Sequence, residues 1–222
     1  MSYRKFLHTG PVFGSVLGAL ALTLLLNPQP TLAEQAQAEA LVEHTDDAVD
    51  HHEHHHHEVA PGYQRSLASY SVPAVTMVNQ DGQRVALPEL LDADEPVMLN
   101  FIFTSCTAIC PAMSATFASV QKKLGSDSEK IRMVSVSIDP EHDTSRALNA
   151  YAKRFKAGPQ WEFLTGSLDD SIAVQRAFDA DRGDKMNHAP MTLMRATPDS
   201  QWVRYDGFAT AEELVKECRN ML

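Results

Sequence analysis

Cysteine is scarce in this sequence. The 222 residues contain three cysteines, Cys106, Cys110 and Cys218. A small fold held together by disulfides carries more cysteines, usually in even numbers. The core must therefore be held by packing, and the length suits one ordinary globular domain with extensions.

Positive charge and long apolar runs are also scarce. The chain has 19 Lys and Arg residues against 29 Asp and Glu residues, so its formal net charge is −10. Nucleic acid is excluded as an expected partner, because phosphate binding needs a basic surface. After residue 33, no run is apolar and long enough to cross a membrane.

Residues 1–33 have the pattern of a cleaved export signal. Arg4 and Lys5 form a basic start, residues 11–26 are uncharged and mostly apolar, and small residues precede a cleavage point after Ala33. The alternative is an uncleaved membrane anchor, and membrane contact is expected only in that case. Either reading predicts export to the periplasm or to the outer face of the inner membrane.

Residues 34–62 are predicted to be disordered. Positions 34–58 hold eight acidic residues and seven histidines but no Lys or Arg, which leaves too little apolar surface to offset the entropy of ordering. Dense imidazoles among carboxylates can capture Cu(II), Ni(II) or Zn(II) at transient sites. The segment is therefore either a metal-capturing tract or a solvated linker.

Residues 63–222 are predicted to form an α/β domain with a central mixed sheet flanked by helices. Two alternating segments around Asp81-Gly82 predict an N-terminal β-hairpin. Strands alternate with helices and end in a second hairpin, which is typical of this architecture. The predicted later strands cover residues 96–103 and 131–139 and two segments of residues 189–208 around the turn Pro198-Asp199-Ser200. The predicted helices start near residues 111, 143, 167 and 210.

Cys106 and Cys110 lie between a predicted buried strand and a predicted helix, in the stretch "NFIFTSCTAICPAMSATF". Backbone N–H groups at a helix start favour the thiolate, so both sulfurs are expected to be unusually acidic and nucleophilic. Three intervening residues allow the sulfurs to close a disulfide or to converge on one soft ion. Electron transfer, metal binding and a structural disulfide all remain open at this point.

Two thiolates suit Cu(I), but a stable site usually has a third ligand, and the histidines of the predicted domain are His188 and His142. His188 precedes a predicted strand, and loops of an α/β sheet that carry function often share the edge of the first strand-to-helix loop. His142 follows the neighbouring strand and is the reserve candidate.

Three motifs in order, "NFIFTSCTAICPAMSATF", "VSVSIDPEHDT" and "MNHAPMTL", resemble the SCO/SenC family of copper-delivery proteins. The resemblance covers roughly residues 71–221. It implies a thioredoxin-like fold, copper as the bound metal, and three ligands: the thiolates of Cys106 and Cys110 and the imidazole of His188. It also implies a copper-accepting cytochrome c oxidase subunit, with a dinuclear copper centre, as the partner.

Two other functions compete with copper delivery. The first is thiol-disulfide oxidoreduction, in which Cys106 attacks a substrate disulfide and Cys110 resolves it, with a thiol reductase as a further partner. The second is metal scavenging by the His-rich segment. Only the oxidoreductase would be an enzyme, and the delivery function assigns no catalytic residue.

The remaining sulfur-bearing side chains are mostly expected in the core. Cys218 lies in the last predicted helix and is expected to be buried as a small apolar residue. Met191 and Met194 lie in a predicted strand and are expected to pack in the core. Met186 lies in the loop before His188, and its role is open: it is either unremarkable surface or part of a thioether copper site.

Overall fold

The structure is a computed structural model, and it describes residues 62–222. The expected export signal or anchor at residues 1–33 lies outside the described residues, as does almost all of the expected disordered segment at residues 34–62. Within residues 62–222, no helix combines the length and the apolarity that crossing a membrane requires.

The described residues form eight strands, five α-helices and two short 3-10 helices. The 3-10 helices are Gly125–Lys130 and Lys185–Asn187. The strands are β1 (Tyr63–Ala68), β2 (Thr76–Asn79), β3 (Arg84–Ala86), β4 (Val97–Ile102), β5 (Arg132–Ser137), β6 (Trp161–Thr165), β7 (Met191–Arg195) and β8 (Trp202–Gly207). The α-helices are α1 (Leu87–Leu91), α2 (Ile109–Leu124), α3 (Ser145–Arg154), α4 (Leu168–Ala177) and α5 (Ala211–Met221).

All eight strands join one mixed sheet in the order β1-β8-β7-β4-β5-β6-β2-β3. Strands β4, β5 and β6 run parallel, while β7 is antiparallel to β4 and to β8. The predicted hairpin around Asp81-Gly82 is present as β2 and β3, with Gly82 at a positive φ of 80°. The predicted α/β architecture with a central mixed sheet is confirmed.

Strand β4 supplies both faces of the core. Its Met98 and Ile102 pack with α2, α3 and α5 on one face, whereas Leu99 and Phe101 pack with α1 and α4 on the other. All six residues of β4 are buried, as a nearly continuous apolar run predicts for a central strand. The predicted apolar stripe of α2 is also buried, at Met113, Phe117, Val120 and Leu124.

Three elements lack a recognisable signal in the sequence. Strand β1 lies at the edge of the sheet and pairs only with β8, so it does not need a continuous apolar pattern. Helix α1 has five residues, including a proline, and is too short to show a helical period. Strand β6 is a five-residue segment between two helices.

The topology brings three loops to one edge of the sheet. Because β4 and β5 are parallel, the loops that follow them emerge at the same edge. Strand β7 runs antiparallel to β4, so the loop that precedes β7 also lies there. These loops carry Cys106, His142 and His188 respectively, in agreement with the sequence-based expectation.

Candidate functional site

The two cysteines lie on either side of the start of α2. Cys106 is in the loop after β4, whereas Cys110 is the second residue of the helix. The Cys106 sulfur accepts a hydrogen bond from the Cys110 N–H at 3.4 Å, and the Cys110 sulfur accepts one from the Phe103 N–H at 3.4 Å. Both cysteines are free thiols in the structure.

The two thiols differ strongly in acidity. Partial burial raises the pKa of Cys106, but hydrogen bonds from the backbone at Cys110, Ala108 and Ile109 outweigh it and hold the pKa below its usual value. Cys110 is fully buried, and this burial raises its pKa well above the usual range. The expectation of two acidic sulfurs is therefore correct for Cys106 and wrong for Cys110, because desolvation there exceeds the effect of the helix start.

This asymmetry predicts selective alkylation. In the reduced, folded protein, iodoacetamide at neutral pH should modify Cys106 about tenfold or more faster than Cys110, because the exposed thiolate is the reactive form. Peptide mass spectrometry over a time course would measure the rates. Cys218 is the internal control, because it is fully buried and burial raises its pKa to about 12. Equal rates at Cys106 and Cys110 would contradict the described environments.

A buried carboxyl group fixes the loop that carries Cys106. Asp143 is fully buried, just before α3. Its oxygens accept hydrogen bonds from the Thr104 N–H, at 3.1 Å and 3.2 Å, and from the Thr104 and Ser137 hydroxyl groups. The start of the cysteine loop is thereby attached to the end of β5.

His188 is buried and incompletely hydrogen-bonded. It is 8% exposed, and its Nε2 atom has no hydrogen-bond partner among the described residues. Burial lowers the pKa of the ring, although hydrogen bonding to the backbone of Phe101 opposes this shift. The ring is therefore neutral at pH 7, which is the form that binds metals. The rings of His188 and Phe103 lie at 74° to each other, with 6.3 Å between their centroids.

A second buried carboxyl group fixes the loop that carries His188. The Lys185 ammonium donates to Asp139 at 2.6 Å, and Asp139 is only 5% exposed. The other oxygen of Asp139 lies 2.9 Å from Nδ1 of His142, whose side chain is 70% exposed. The reserve candidate His142 is thus held against Asp139, and it does not line the pocket that contains Cys106 and His188.

A pocket of about 240 Å³ lies between these loops. Cys106 and His188 both line it, and Cys110 does not. The complete lining is Phe103, Ser105, Cys106, Thr107, Ala108, Ile109, Lys185, Met186 and His188. Two of the three predicted ligands therefore share a pocket.

The three predicted ligands are not assembled around one point. Within residues 62–222, no three His, Cys, Asp or Glu side chains are close enough together to hold a metal ion. The donor types nevertheless suit a soft metal, because two sulfurs and a neutral imidazole with an unpaired nitrogen lie around one loop cluster. Binding one ion through all three ligands would require their side chains to move closer together.

Residues Asp139, Asp143 and Lys185 have supporting roles that sequence reasoning did not identify. The motif "VSVSIDPEHDT" contains both aspartates, but a strand end followed by a helix start explains such residues equally well. Their contacts connect residues 39 and 46 positions apart in the chain, so only the tertiary structure reveals them.

A model of the SCO1/SenC family matches residues 65–222. This match covers most of the chain. The chain belongs to the SCO1/SenC family. The resemblance found in the three motifs is thereby confirmed, and the match runs from within β1 to the end of α5.

Several relatives and solved structures of the family are similar to this chain. The SCO1 protein homolog of Bacillus subtilis is 39% identical over 105 residues, which is 47% of this chain and 53% of the relative. The match thus spans about half the length of that curated relative. BsSco is described as a member of the Sco family of cytochrome c oxidase assembly proteins, and a disulfide switch is described in BsSco itself. Its structure is 29% identical in sequence to this chain, with a TM-score of 0.59, and the match covers 70% of this chain and 95% of BsSco.

The Arabidopsis thaliana ScoI structure with copper bound has a TM-score of 0.56 at 24% identity. It covers 68% of this chain and 96% of that one, and at this identity the similarity establishes the fold alone.

Proposed function

We propose that this SCO1/SenC chain is an exported copper-binding assembly factor. It binds copper through Cys106, Cys110 and His188 and delivers the ion to the dinuclear copper centre of a cytochrome c oxidase subunit. The observation that carries the proposal is the pocket that contains both the acidic thiol of Cys106 and the neutral ring of His188, whose buried Nε2 has no partner within residues 62–222.

The chemistry of the pocket supports Cu(I) as the cargo. Thiolate ligands select Cu(I), and a neutral imidazole suits copper as well. Cys106 lines the pocket, and its thiol loses its proton more easily than that of an ordinary cysteine, so it can bind the ion as a thiolate. Cys110 must lose its proton to bind, which couples complete binding to proton release.

The pocket also suits transfer of the ion. Apolar groups of Phe103, Ala108 and Ile109 line it and limit the access of water, while its opening leaves room for ligands of an accepting protein. Release would then proceed by exchange of one ligand at a time. A thiol reductase is the second expected partner, because an exported dithiol tends to oxidise.

Export and metal loading complete the proposal. The pattern of residues 1–33 supports secretion to the periplasm or the outer face of the inner membrane. The seven histidines of residues 34–58 would raise the local metal concentration near the pocket. If scavenging by this segment were the whole function, deletion of residues 34–58 would remove all tight binding, whereas the delivery proposal predicts that one tight site remains.

A second candidate, a thiol-disulfide oxidoreductase, is favoured by one observation. The more exposed Cys106 has a lowered pKa and lies next to the buried Cys110, which is the arrangement of an attacking and a resolving thiol. This function does not need the unpaired nitrogen of His188, so His188 distinguishes the two candidates.

The test is anaerobic Cu(I) competition with a chromophoric chelator on the reduced full chain. One tight equivalent should bind, and His188→Ala should weaken it by about tenfold or more, because one ligand is lost. His142→Ala is the matched control and should leave the affinity unchanged, since His142 faces Asp139 outside the pocket. If His188→Ala had no effect, the three-ligand site would be wrong and the oxidoreductase would be preferred.

A further inference from the structure

Met186 is a methionine whose position packing does not explain. It is 75% exposed, the highest exposure among the large hydrophobic side chains that the structure describes as exposed. Met191 and Met194, a few residues further along, are 3% and 0% exposed and belong to the core, as expected. Burial in the core therefore accounts for those two side chains and not for Met186.

Met186 lines the same pocket as Cys106 and His188. His188 in that pocket is 8% exposed, and its Nε2 atom has no hydrogen-bond partner in the part of the chain that the structure describes. A thioether sulfur is a neutral, soft ligand that selects Cu(I) over harder ions. The pocket therefore presents three different kinds of soft or borderline donor: a thiol, an imidazole and a thioether.

Hydrogen bonds hold the backbone around Met186, while its side chain is exposed to solvent. The N–H of Met186 donates to the Asp184 carboxyl group at 2.8 Å, which caps the short helix Lys185–Asn187. The neighbouring Lys185 is paired with the buried Asp139, so its positive charge is largely balanced beside a pocket that is to receive a cation. This arrangement holds Met186 at the rim of the pocket.

We propose that the sulfur of Met186 is an additional Cu(I) ligand at the rim of the pocket. The proposal rests on the copper-delivery function above and deepens it. Copper remains Cu(I) throughout: a bond from the Met186 sulfur to the ion forms as a bond to the donor's ligand breaks. The ion then exchanges onto Cys106 and His188, and the reverse exchange exposes it to an acceptor. Because the thioether carries no proton, this step releases none.

The test follows the methionine methyl groups by NMR. The reduced full chain, labelled at the methionine methyl carbons, is titrated anaerobically with Cu(I) buffered by a strong chelator, so that only tight sites fill. The Met186 signal, assigned by its loss in Met186→Leu, should shift during the first equivalent. Met186→Leu should weaken Cu(I) binding by about threefold to tenfold, as the loss of one weak soft ligand predicts. It should also slow uptake from the chelator.

Met221→Leu is the matched control. Met221 ends α5 and does not line the pocket, so this variant should bind and take up Cu(I) as the wild type does. Leucine conserves the volume of methionine, and unchanged signals from the buried methionines would show that the fold is intact.

Two results would overturn the proposal, and they differ in what they imply. If one tight equivalent binds with dependence on Cys106 and His188, but the Met186 signal does not shift and Met186→Leu binds normally, the rim ligand is wrong and the delivery site remains. If the wild-type chain binds no tight Cu(I), the rim ligand and the proposed function fail together.

Discussion

Replacement of both Cys106 and Cys110 with serine should remove the tight Cu(I) site. A serine hydroxyl is a hard ligand that stays protonated at neutral pH, so the ion loses both of its anionic soft ligands. The affinity should fall by about a thousandfold or more, the largest change expected for any pair of residues in the chain. Anaerobic competition against a chromophoric chelator, with the free Cu(I) concentration held low, measures this loss.

The controls for this variant come from the same chain. Cys218→Ser changes the third cysteine, which is buried in α5 outside the pocket, and should leave Cu(I) affinity unaltered. The single variants Cys106→Ser and Cys110→Ser should each weaken binding less than the double variant does. If the double variant bound Cu(I) as tightly as the wild type, the site would have to lie elsewhere, with the histidines of residues 34–58 as the first candidates.

Replacement of Asp143 with alanine should cause the largest loss of stability among the site variants. The carboxyl group is fully buried and accepts hydrogen bonds from three donors, on Thr104 and Ser137. Alanine would leave these donors without their partner inside the protein. The free energy of unfolding should fall by about 3 kcal/mol or more, since each buried donor left unsatisfied costs about 1–3 kcal/mol.

Urea denaturation followed by circular dichroism would measure the effect of Asp143→Ala. Asp199→Ala, in the exposed turn between β7 and β8, is the control and should change stability by less than about 0.5 kcal/mol. Asp143→Asn should lie between the two, because the amide keeps one acceptor oxygen. Equal stability of Asp143→Ala and the wild type would show that the hydrogen bonds at Asp143 contribute little.

The sequence predicts the central part of the fold well. The stripe from Met113 to Leu124 in α2 has a helical period, and the nearly continuous apolar run of β4 has the length of a buried strand. Edge strand β1 carries no comparable pattern because it is partly exposed to solvent, and helix α1 carries none because its five residues form little more than one turn. Their existence follows from tertiary packing, which no local pattern encodes.

The candidate site is only partly predictable from the sequence. The strand order correctly places both His142 and His188 at the edge that carries Cys106. The two histidines differ in their surroundings because Asp139 binds the ring of His142 and the ammonium of Lys185.

The predicted acidity of Cys110 is the clearest error, since a helix start predicts a lowered pKa and complete burial produces a raised one. Burial depends on residues distant in sequence, so the motif alone cannot show it.

Asp139 and Asp143 attach both walls of the pocket to the end of one strand, β5. Asp143 binds the loop of Cys106, and Asp139 binds the loop of His188. The two walls are therefore preorganised relative to each other, and most of the conformational entropy of bringing Cys106 near His188 is lost when the domain folds. When an ion arrives, the side chains of the proposed ligands, including Cys110 and Met186, still have to be positioned around it. The chain can thus bind its cargo without a large entropic penalty and release it without unfolding the loops.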